Sequence, residues 1–591
     1  MGSIVAVLPG SGRFDVSRVE AMFRVAPHRA AWSRNVAHGS VVLGVGSARE
    51  DDDATLASDG ALGVAVTGSI DNLQQVAREA KEAGHEPASV APADVLVAAW
   101  QAFGSDLPAR LRGAYAVIVS DGTRLMCFRD HMGFGTLYYR RDGAGCYIAS
   151  EAKQVVAGAG IRSEPDPEVL EAVFFDAYDE SMPCALRGVQ RVPKASLLEL
   201  TPTSGRVRRY WDPTGLLETA RYSESELKER FDEVMFQAST RPLTGRDAVS
   251  LSGGIDSPAV AAYAAPEHLK MSDRPLGGVS VVFPQFPSVD ETTYTRLVAD
   301  ALEMPLDLYE QQANPLDRMA EWARLTDGPV PTVSLPLYEE HYRHVRSLGY
   351  RVLLTGEIAE FVFDMSTYLT AHLMWHGRFS ALSRLLAERR SRGASWGSTA
   401  RDLVYPFIPT SITERRWARA QDNVPAWVDT SRANEAAVNS IVPPSKRWSK
   451  VQVDTFSRVS VSLEADDVCQ EICGISARRP WADVDLWEFF LSLPAEVKFP
   501  DTRGKSLVRK LLRGTVPDPI LDRRKKTVFD DSVRSKIDYA ELRRWLKDPP
   551  YRIAGVDYEL LADRLDREVL ELSEFMRAKD LASVHAFLSL W

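Results

Sequence analysis

A short glycine-containing turn is the part of this sequence best suited to bind an anion. The turn reads Ser252-Gly253-Gly254-Ile255-Asp256-Ser257. Residues 248–251 before it are apolar and predict a buried strand, and residues 258–265 after it predict a helix. In such a turn, glycines let backbone N–H groups approach phosphate oxygens, and the helix N-terminus adds partial positive charge. The turn therefore predicts a phosphate site, although an ordinary strand-to-helix turn would show the same pattern.

The SGGxDS pattern of this turn resembles that of the PP-loop ATP pyrophosphatases, which adenylate a substrate and release pyrophosphate. No lysine follows the glycines, so the turn is not a Walker A loop. The resemblance implies that Asp256 holds Mg²⁺ against the phosphates of ATP. It also implies that the residues contacting ATP here are Ser250, Ser252, Gly253, Gly254 and Ser257.

The elements that must position this turn read as a parallel sheet. Strand patterns at 278–283 and 351–354 alternate with a helix pattern at 290–304, which predicts a doubly wound α/β domain. Ligands of such sheets bind beyond the carboxyl ends of the strands. Val282 and Phe283, at the end of the second strand, are therefore candidate adenine contacts, although a plain core strand would explain them equally well.

The loop after the third strand is a second candidate part of the site. Residues 355–361 resemble the SGEGxDE segment of the asparagine synthetase-like family, whose aspartate helps to hold magnesium. The resemblance implies that Gly356 contacts ATP, that Glu357 orients substrate or accepts a proton, and that Glu360 is a second Mg²⁺ ligand, because carboxylate oxygen suits this ion. Ile358, Glu360 and Phe361 depart from the family pattern, replacing its second glycine, its aspartate and its last glutamate. These departures leave open a degenerate relative without catalytic activity.

The first 200 residues predict many short strands and few helices, with Asp-Gly pairs at 121–122 and 142–143 that are typical of hairpins. Three segments, 111–116, 129–139 and 149–153, resemble in order and spacing the N-terminal domain of asparagine synthetases. The resemblance implies the layered Ntn-type α+β fold of glutamine amidotransferases.

Two domains and a linker follow from these resemblances. We expect residues 1–200 to form the amidotransferase-like domain and residues 201–222 to form a linker. We expect residues 223–591 to form the synthetase domain, in which extra helices surround the parallel sheet.

The residue that a glutaminase of this type needs is missing from the start of the chain. Such enzymes use an N-terminal cysteine, whose thiolate attacks glutamine while the free α-amine acts as its base. Here Gly2 and Ser3 stand at the start, and no cysteine precedes Cys127. We therefore expect an inactive glutaminase domain and a nitrogen nucleophile from elsewhere, unless Gly2 and Ser3 are a cloning remnant.

Two C-terminal segments complete the resemblance to the family. Residues 474–483 resemble its GxExRxPFxD segment, with Ser476 where a glutamate is usual. Residues 521–527 resemble the RxK segment that carries the catalytic lysine, which implies that Lys525 is catalytic. A solvated run of positive charge is the alternative reading of this segment.

A helical region before these segments, from residue 362 to about residue 460, narrows the resemblance. Residues 372–392 within it predict one amphipathic helix, and the arginine-rich region is similar to a helical segment of lasso peptide cyclases. That resemblance implies ATP and Mg²⁺ as cofactors and a precursor peptide as substrate. An Asp or Glu side chain of the peptide would be adenylated, and the peptide's own α-amine would close an isopeptide ring. A leader peptidase and a leader-binding protein are the implied partners.

Three alternatives remain open at this point. The first is a β-lactam synthetase-like enzyme that cyclises a small β-amino acid, and the second is asparagine synthesis from free ammonia. The third is a non-catalytic scaffold that binds a peptide or a nucleotide.

Composition limits the function classes further. A chain of 591 residues is longer than one hydrophobic core can organise, so several domains are expected. A net charge of −10 argues against general nucleic-acid binding, and no apolar stretch is long enough to span a bilayer. The five cysteines form no disulfide framework, and the first residues lack a signal-peptide pattern. We therefore expect a cytoplasmic protein that does not bind membranes.

Overall fold

Three β-sheets organise the residues that the computed structural model describes. Two antiparallel sheets of six strands lie within residues 3–209, and one parallel sheet of five strands lies within residues 247–478. The described residues are 2–10, 16–48, 54–175, 182–329, 335–362, 369–404, 425–429, 444–501, 503–523, 532–533, 535–549 and 551–591.

The N-terminal part alternates strands with a few helices. Its strands are β1 (Ser3–Pro9), β2 (Trp32–His38), β3 (Val41–Ser47), β4 (Thr55–Ser58), β5 (Gly63–Ile70), β6 (Gly113–Ser120), β7 (Leu125–Arg129), β8 (Tyr138–Asp142), β9 (Gly145–Ala149), β10 (Gln190–Arg191), β11 (Ser196–Leu200) and β12 (Gly205–Arg209). Its helices are α1 (Val16–Arg24), α2 (Leu73–Glu82), α3 (Pro92–Phe103), α4 (Leu107–Arg110), α5 (Ala152–Ala159) and α6 (Pro167–Phe174).

The two antiparallel sheets pack face to face. Their strand orders are β10-β8-β9-β1-β3-β2 and β12-β11-β7-β6-β5-β4. Ile4 and Leu43 of the first sheet share one core with Ile118 of the second. Helices α1 and α5 cover the outer face of the first sheet, and α2 and α3 cover that of the second. This helix–sheet–sheet–helix layering confirms the predicted amidotransferase-like fold, and the pairs β6–β7 and β8–β9 confirm both predicted hairpins.

The C-terminal part is built on the parallel sheet. Its strands are β13 (Asp247–Ser250), β14 (Gly277–Val282), β15 (Leu306–Glu310), β16 (Val352–Leu354) and β17 (Ser476–Arg478). Its helices are α7 (Glu224–Thr240), α8 (Asp256–Ser272), α9 (Thr292–Ala301), α10 (Met319–Leu325), α11 (Leu335–Ser347), α12 (Ala359–Val362), α13 (Leu369–Trp375), α14 (Phe379–Ser391), α15 (Trp396–Val404), α16 (Pro444–Cys473), α17 (Val484–Ser492), α18 (Ala495–Lys498), α19 (Ser506–Leu511), α20 (Asp518–Asp522), α21 (Tyr539–Leu546), α22 (Tyr558–Asp566) and α23 (Leu572–Leu588).

The parallel sheet is covered on both faces, as predicted for a doubly wound fold. Its strand order is β15-β14-β13-β16-β17, with β13 at the centre. Val249 of β13 packs in the core that contains α7 and α8, whereas its neighbour Ala248 packs in the core that contains α11 and α16. This alternation follows from the two-residue period of a strand. The strands predicted around 248–251, 278–283 and 351–354 are confirmed, and β15 is an additional strand.

The single amphipathic helix predicted over 372–392 is wrong. The chain forms α13 and α14, separated at Gly377, whose φ is +68°. The N–H of Arg378 donates to the carbonyl of Leu373, and the N–H of Gly377 donates to that of Met374. A glycine in this left-handed conformation ends a helix at little steric cost, which overrides the amphipathic pattern.

Helix α16 joins the two parts of the chain through buried ion pairs. Glu464 accepts hydrogen bonds from Arg129 at 3.0 Å and Arg191 at 2.7 Å, and Asp467 pairs with Arg29 at 2.6 Å. All three arginines belong to the N-terminal part, so burial of these charges depends on both parts being packed together. Within the described residues, every helix is too short or too polar to cross a bilayer.

Candidate active site

The predicted phosphate-binding turn connects β13 to α8 at the carboxyl edge of the parallel sheet. We call residues 252–257 the phosphate loop. The N–H of Ser252 donates to Ser257 Oγ at 2.9 Å, the two hydroxyl oxygens lie 3.0 Å apart, and the N–H of Gly254 donates to Ser252 Oγ at 3.3 Å. The two serine side chains therefore brace the loop, while Gly253 and Gly254 add no side chains of their own to its surface.

The two segments singled out from the sequence meet at Gly356. A Cβ placed on Gly356 would lie 2.5 Å from the backbone nitrogen of Ser257 and 3.0 Å from Asp256 Cβ. Only glycine therefore lets the loop after β16 rest against the start of α8. We call residues 355–358 the carboxylate loop. Its contact with the phosphate loop brings Glu357 and Asp256 to the same edge of the sheet.

Asp256 presents its two carboxylate oxygens differently. Oδ2 accepts from Lys505 Nζ at 2.5 Å, whereas Oδ1 is buried without a hydrogen-bond partner among the residues described. Trp481 Nε1 holds the backbone of Asp256 by donating to its carbonyl at 3.0 Å. A hard carboxylate oxygen that lacks a donor fits Mg²⁺, which typically takes one or two carboxylates together with phosphate and water oxygens.

The second predicted magnesium ligand, Glu360, lies in α12 with an exposed side chain. The described residues give Glu360 no hydrogen bond or ion pair. They also contain no group of three or more metal-ligating side chains. A cation at this edge would therefore depend on Asp256 and on oxygens of its ligand. The role of Glu360 stays a prediction.

Glu357 is held by two donors. Tyr338 donates its hydroxyl to Oε1 at 2.9 Å, and Arg479 donates Nε to Oε2 at 2.8 Å. The charge of Glu357, together with burial, raises the pKa of Tyr338 well above its ordinary value, so this tyrosine stays a hydrogen-bond donor. Arg479 also pairs with Asp466 of α16. Burial alone would lower the pKa of Arg479, but Asp466 and Glu357 raise it, so the guanidinium stays charged.

Ile358 has an unusual backbone conformation. Its φ is +76° and its side chain is buried in the core around α8. A β-branched residue is strained in this region, which glycine enters freely. The carboxylate loop therefore keeps a glycine-type conformation at a position where this chain carries isoleucine.

A row of hydrogen-bonded side chains, which the sequence did not predict, lies next to the phosphate loop. His341 Nε2 lies 3.0 Å from Ser250 Oγ, and His341 Nδ1 lies 2.8 Å from the hydroxyl of Tyr309. Burial lowers the pKa of His341 to about 4, so the ring is neutral at pH 7. Ser250, predicted to contact ATP, is thereby oriented by a histidine on α11.

The structure describes the two predicted adenine contacts, Val282 and Phe283, but not the predicted catalytic lysine. Val282 ends β14, which lies beside β13 in the sheet, and Phe283 follows it. Both occupy the carboxyl edge of the sheet as predicted, and their contact with adenine stays a prediction. Lys525 lies outside the described residues.

Arg523 is a second cation that reaches the phosphate loop. Besides Lys505, Arg523 donates Nη1 to the carbonyl of Gly253 at 2.7 Å and to Glu291 Oε1 at 2.6 Å. Glu291 in turn accepts from the N–H of Gly253 at 2.9 Å. Arg523 belongs to the basic segment 521–527, so the charge pattern gave a signal for it. No comparable signal in the sequence marked Lys505 or Glu291, because a local pattern does not indicate contacts between residues that lie far apart in the chain.

The backbone of Gly2, which directly precedes β1, is closely packed. A Cβ on Gly2 would overlap the carbonyl oxygen of Gly46 and lie 2.8 Å from Ala54 Cβ. The carbonyl of Gly2 accepts from Arg29 Nη1 at 3.1 Å, and Arg29 also pairs with Glu151. A buried ion-pair cluster thus lies against Gly2, and the absence of glutaminase activity stays a prediction.

Comparisons with known proteins agree with this architecture. A model of the asparagine synthase family matches residues 245–581, and a model of the glutamine amidotransferase domain matches residues 15–211. The linker limits expected from the sequence stay a prediction.

Two curated relatives cover most of the chain. Asparagine synthetase [glutamine-hydrolyzing] 3 of Bacillus subtilis (strain 168) is 23% identical over 486 residues, which cover 78% of this chain and 74% of the relative. Asparagine synthetase [glutamine-hydrolyzing] 1 of the same organism is 21% identical over 507 residues, which cover 81% and 77%. A solved glutamine PRPP amidotransferase from B. subtilis, at 11% identity, covers 61% of this chain and 76% of its own, with a TM-score of 0.27 that is too low to compare the folds.

Members of the matched family are ligases that form amide bonds, use ATP with Mg²⁺ and release AMP. The phosphate loop, the unpartnered Oδ1 of Asp256 and the surrounding cations suit this chemistry. The chain belongs to the asparagine synthase family and is an ATP-dependent amide-bond-forming ligase.

Proposed function

We propose that this ligase closes a macrolactam ring within a precursor peptide. A side-chain carboxylate of the peptide attacks the α-phosphorus of ATP, which gives an acyl-adenylate and pyrophosphate. The peptide's own α-amine then attacks the acyl carbon, AMP leaves, and the amine loses its proton as the isopeptide bond forms.

The observation that carries this proposal is the packing around Gly2. The start of β1 leaves no room for a cysteine side chain, and Arg29 and Glu151 pair beside it. A ligase that obtains no ammonia from glutamine needs another nitrogen nucleophile. A substrate that brings its own amine meets that need.

The described residues have definable parts in this reaction. The N–H groups of the phosphate loop and Lys505 would bind the pyrophosphate, and Asp256 would hold Mg²⁺. When bound, Mg²⁺ neutralises charge on the leaving pyrophosphate. The predicted role of Lys525 is to stabilise the charge that develops on phosphate and on the acyl oxygen.

Ring closure itself demands positioning more than a strong base. An α-amine has a pKa of about 8, so a fraction of it is already neutral at pH 7. Glu357, fixed by Tyr338 and Arg479, would orient this amine and take its proton. Positioning of two reacting groups in this way accelerates a reaction by lowering its entropic barrier.

We place the reaction in the reducing cytoplasm, because all five cysteines are free and buried. A leader peptidase and a leader-binding protein are the proposed partners, since a precursor peptide has to be trimmed before its α-amine becomes free.

The test is pyrophosphate release by the full chain with ATP, Mg²⁺ and a short candidate precursor peptide that has a free α-amine and an Asp or Glu side chain. We expect release together with a product lighter than the peptide by one water. The same peptide with an acetylated α-amine should support pyrophosphate release without ring formation.

Other substrates separate the alternatives. Release with a small β-amino acid, or with aspartate and ammonium, but not with the peptide would contradict the macrolactam proposal. If no substrate gives release and Asp256→Ala leaves nucleotide binding unchanged, the protein is a scaffold. The departures at Ile358, Glu360 and Phe361 are what make this last outcome worth testing.

A further inference from the structure

The carboxylate of Glu291 sits on the phosphate loop. Its Oε2 accepts from the N–H of Gly253 at 2.9 Å, and its Oε1 accepts from Arg523 Nη1 at 2.6 Å. The same Nη1 donates to the carbonyl of Gly253 at 2.7 Å. One carboxylate and one guanidinium therefore satisfy both backbone groups of the first glycine of the loop.

The position of the pair is closely defined. A Cβ on Gly253 would lie 2.9 Å from the Cβ atoms of Glu291 and Tyr294 and 3.0 Å from Arg523 Nη1. The guanidinium also lies over the ring of Tyr294, with Cζ 4.4 Å from its centroid. Both charged side chains are only 15% exposed. Such a buried and multiply bonded pair has a defined geometry, unlike an exposed ion pair on the surface.

A carboxylate oxygen and a phosphate oxygen are the same kind of ligand for a loop N–H, since both are anionic acceptors. The N–H of Gly253 cannot serve both, and their like charges repel. Bound phosphate would, however, attract the guanidinium, which can bind it through two N–H groups.

We propose that the carboxylate of Glu291 occupies the place of a phosphate group when the site is empty. We further propose that Arg523 binds phosphate, so that its guanidinium exchanges Glu291 for the nucleotide when ATP binds. Binding of ATP displaces Glu291 from Gly253, and release of pyrophosphate lets it return. The carboxylate thus lowers the affinity of the empty site, because only the displaced state is competent to bind. The inference rests on the family's use of ATP and is independent of which acyl group is activated.

The test measures the affinity of the full chain for pyrophosphate and for ATP with Mg²⁺ by calorimetry. Glu291→Gln keeps the shape and removes the charge, and we expect pyrophosphate to bind about fivefold more tightly, since a neutral amide competes less well. Glu267→Gln, the same charge change near the other end of α8, should leave the affinity unchanged.

Arg523 is tested in the same assay. Arg523→Lys should weaken pyrophosphate binding about tenfold because a lysine cannot make the two-pronged contact. Adenosine, which lacks phosphate, should bind both variants as it binds the wild type, and circular dichroism should confirm that both are folded.

An unchanged or weakened affinity of Glu291→Gln for pyrophosphate would overturn the proposal and make Glu291 a structural brace of the loop. Failure of the macrolactam proposal would give a different result. The pyrophosphate affinity would still change in these variants, but the protein would cyclise no peptide.

Discussion

Lys505 Nζ lies 2.5 Å from Asp256 Oδ2, so an ammonium group occupies one face of the carboxylate that the sequence assigns to magnesium. The pair is partly buried, with 19% of the lysine and 23% of the aspartate side chain exposed. The backbone of Lys505 is left-handed, with φ of +59°, immediately before α19. The turn into α19 therefore places this cation on the phosphate loop.

Removing this lysine should strengthen the binding of Mg²⁺ in the absence of nucleotide. In Lys505→Gln the carboxylate loses its competing cation, and we expect Mg²⁺ to bind about tenfold more tightly, which corresponds to about 1.4 kcal/mol. A Mg²⁺ titration of the full chain measures it. Lys510→Gln on α19, whose own ion pair with Glu224 is exposed, is the matched control. Equal affinities in both variants would contradict the assignment of Asp256.

At position 358 the usual order of stability of alanine and glycine variants should not hold. Alanine is normally more stable than glycine by about 0.5–1 kcal/mol in regular structure. At φ of +76°, glycine removes backbone strain that alanine retains, so Ile358→Gly should be at least as stable as Ile358→Ala. Thermal and urea unfolding of both variants measure this order. Val345 in α11 is the control site, where alanine should be the more stable. A less stable glycine variant at 358 would show that the strain is absent.

His341 should make the protein sensitive to acid. Its pKa is lowered to about 4 by burial, so the unfolded chain takes up a proton between about pH 6.5 and pH 4 that the folded state refuses. Stability from this group is complete above about pH 6.5 and falls as the pH drops towards 4. We expect urea unfolding of His341→Gln to lose less stability between pH 7 and pH 4.5 than the wild type. His85→Gln, at a partly exposed position, should follow the wild type. An identical pH dependence for His341→Gln would refute the prediction.

Restoring a cysteine at the start of β1 should not restore a glutaminase. In Gly2→Cys the new side chain would overlap the carbonyl of Gly46, and such overpacking typically costs about 1–3 kcal/mol. We expect a lower melting temperature and no release of ammonia from glutamine. Gly215→Ala, at a glycine with open space around its Cβ position, should leave the melting temperature unchanged. Ammonia release from glutamine by Gly2→Cys would contradict this prediction.

The sequence by itself determined the elements whose signals are local. The apolar run before Ser252 and the glycines after it predicted a strand, a turn and a helix start, and all three lie where expected. The Asp-Gly pairs predicted two hairpins because turn geometry depends on the residues of the turn itself. The prediction of a single helix across Gly377 was wrong for a local reason as well. This glycine adopts a left-handed conformation, which the amphipathic pattern does not indicate.

The tertiary structure decided which charges face the phosphate loop. Lys505 reaches Asp256 across 249 residues of sequence, and Arg523 reaches Gly253 across 270. Parallel strands bring their carboxyl ends to one edge of a sheet, and the helices that follow deliver distant side chains to that edge. Lys505 is not distinguished locally from an ordinary surface cation, and the basic segment that contains Arg523 does not indicate which atoms Arg523 contacts. Their contacts exist only because the fold closes around the glycines, which is why the sequence located the loop but not the ions that surround it.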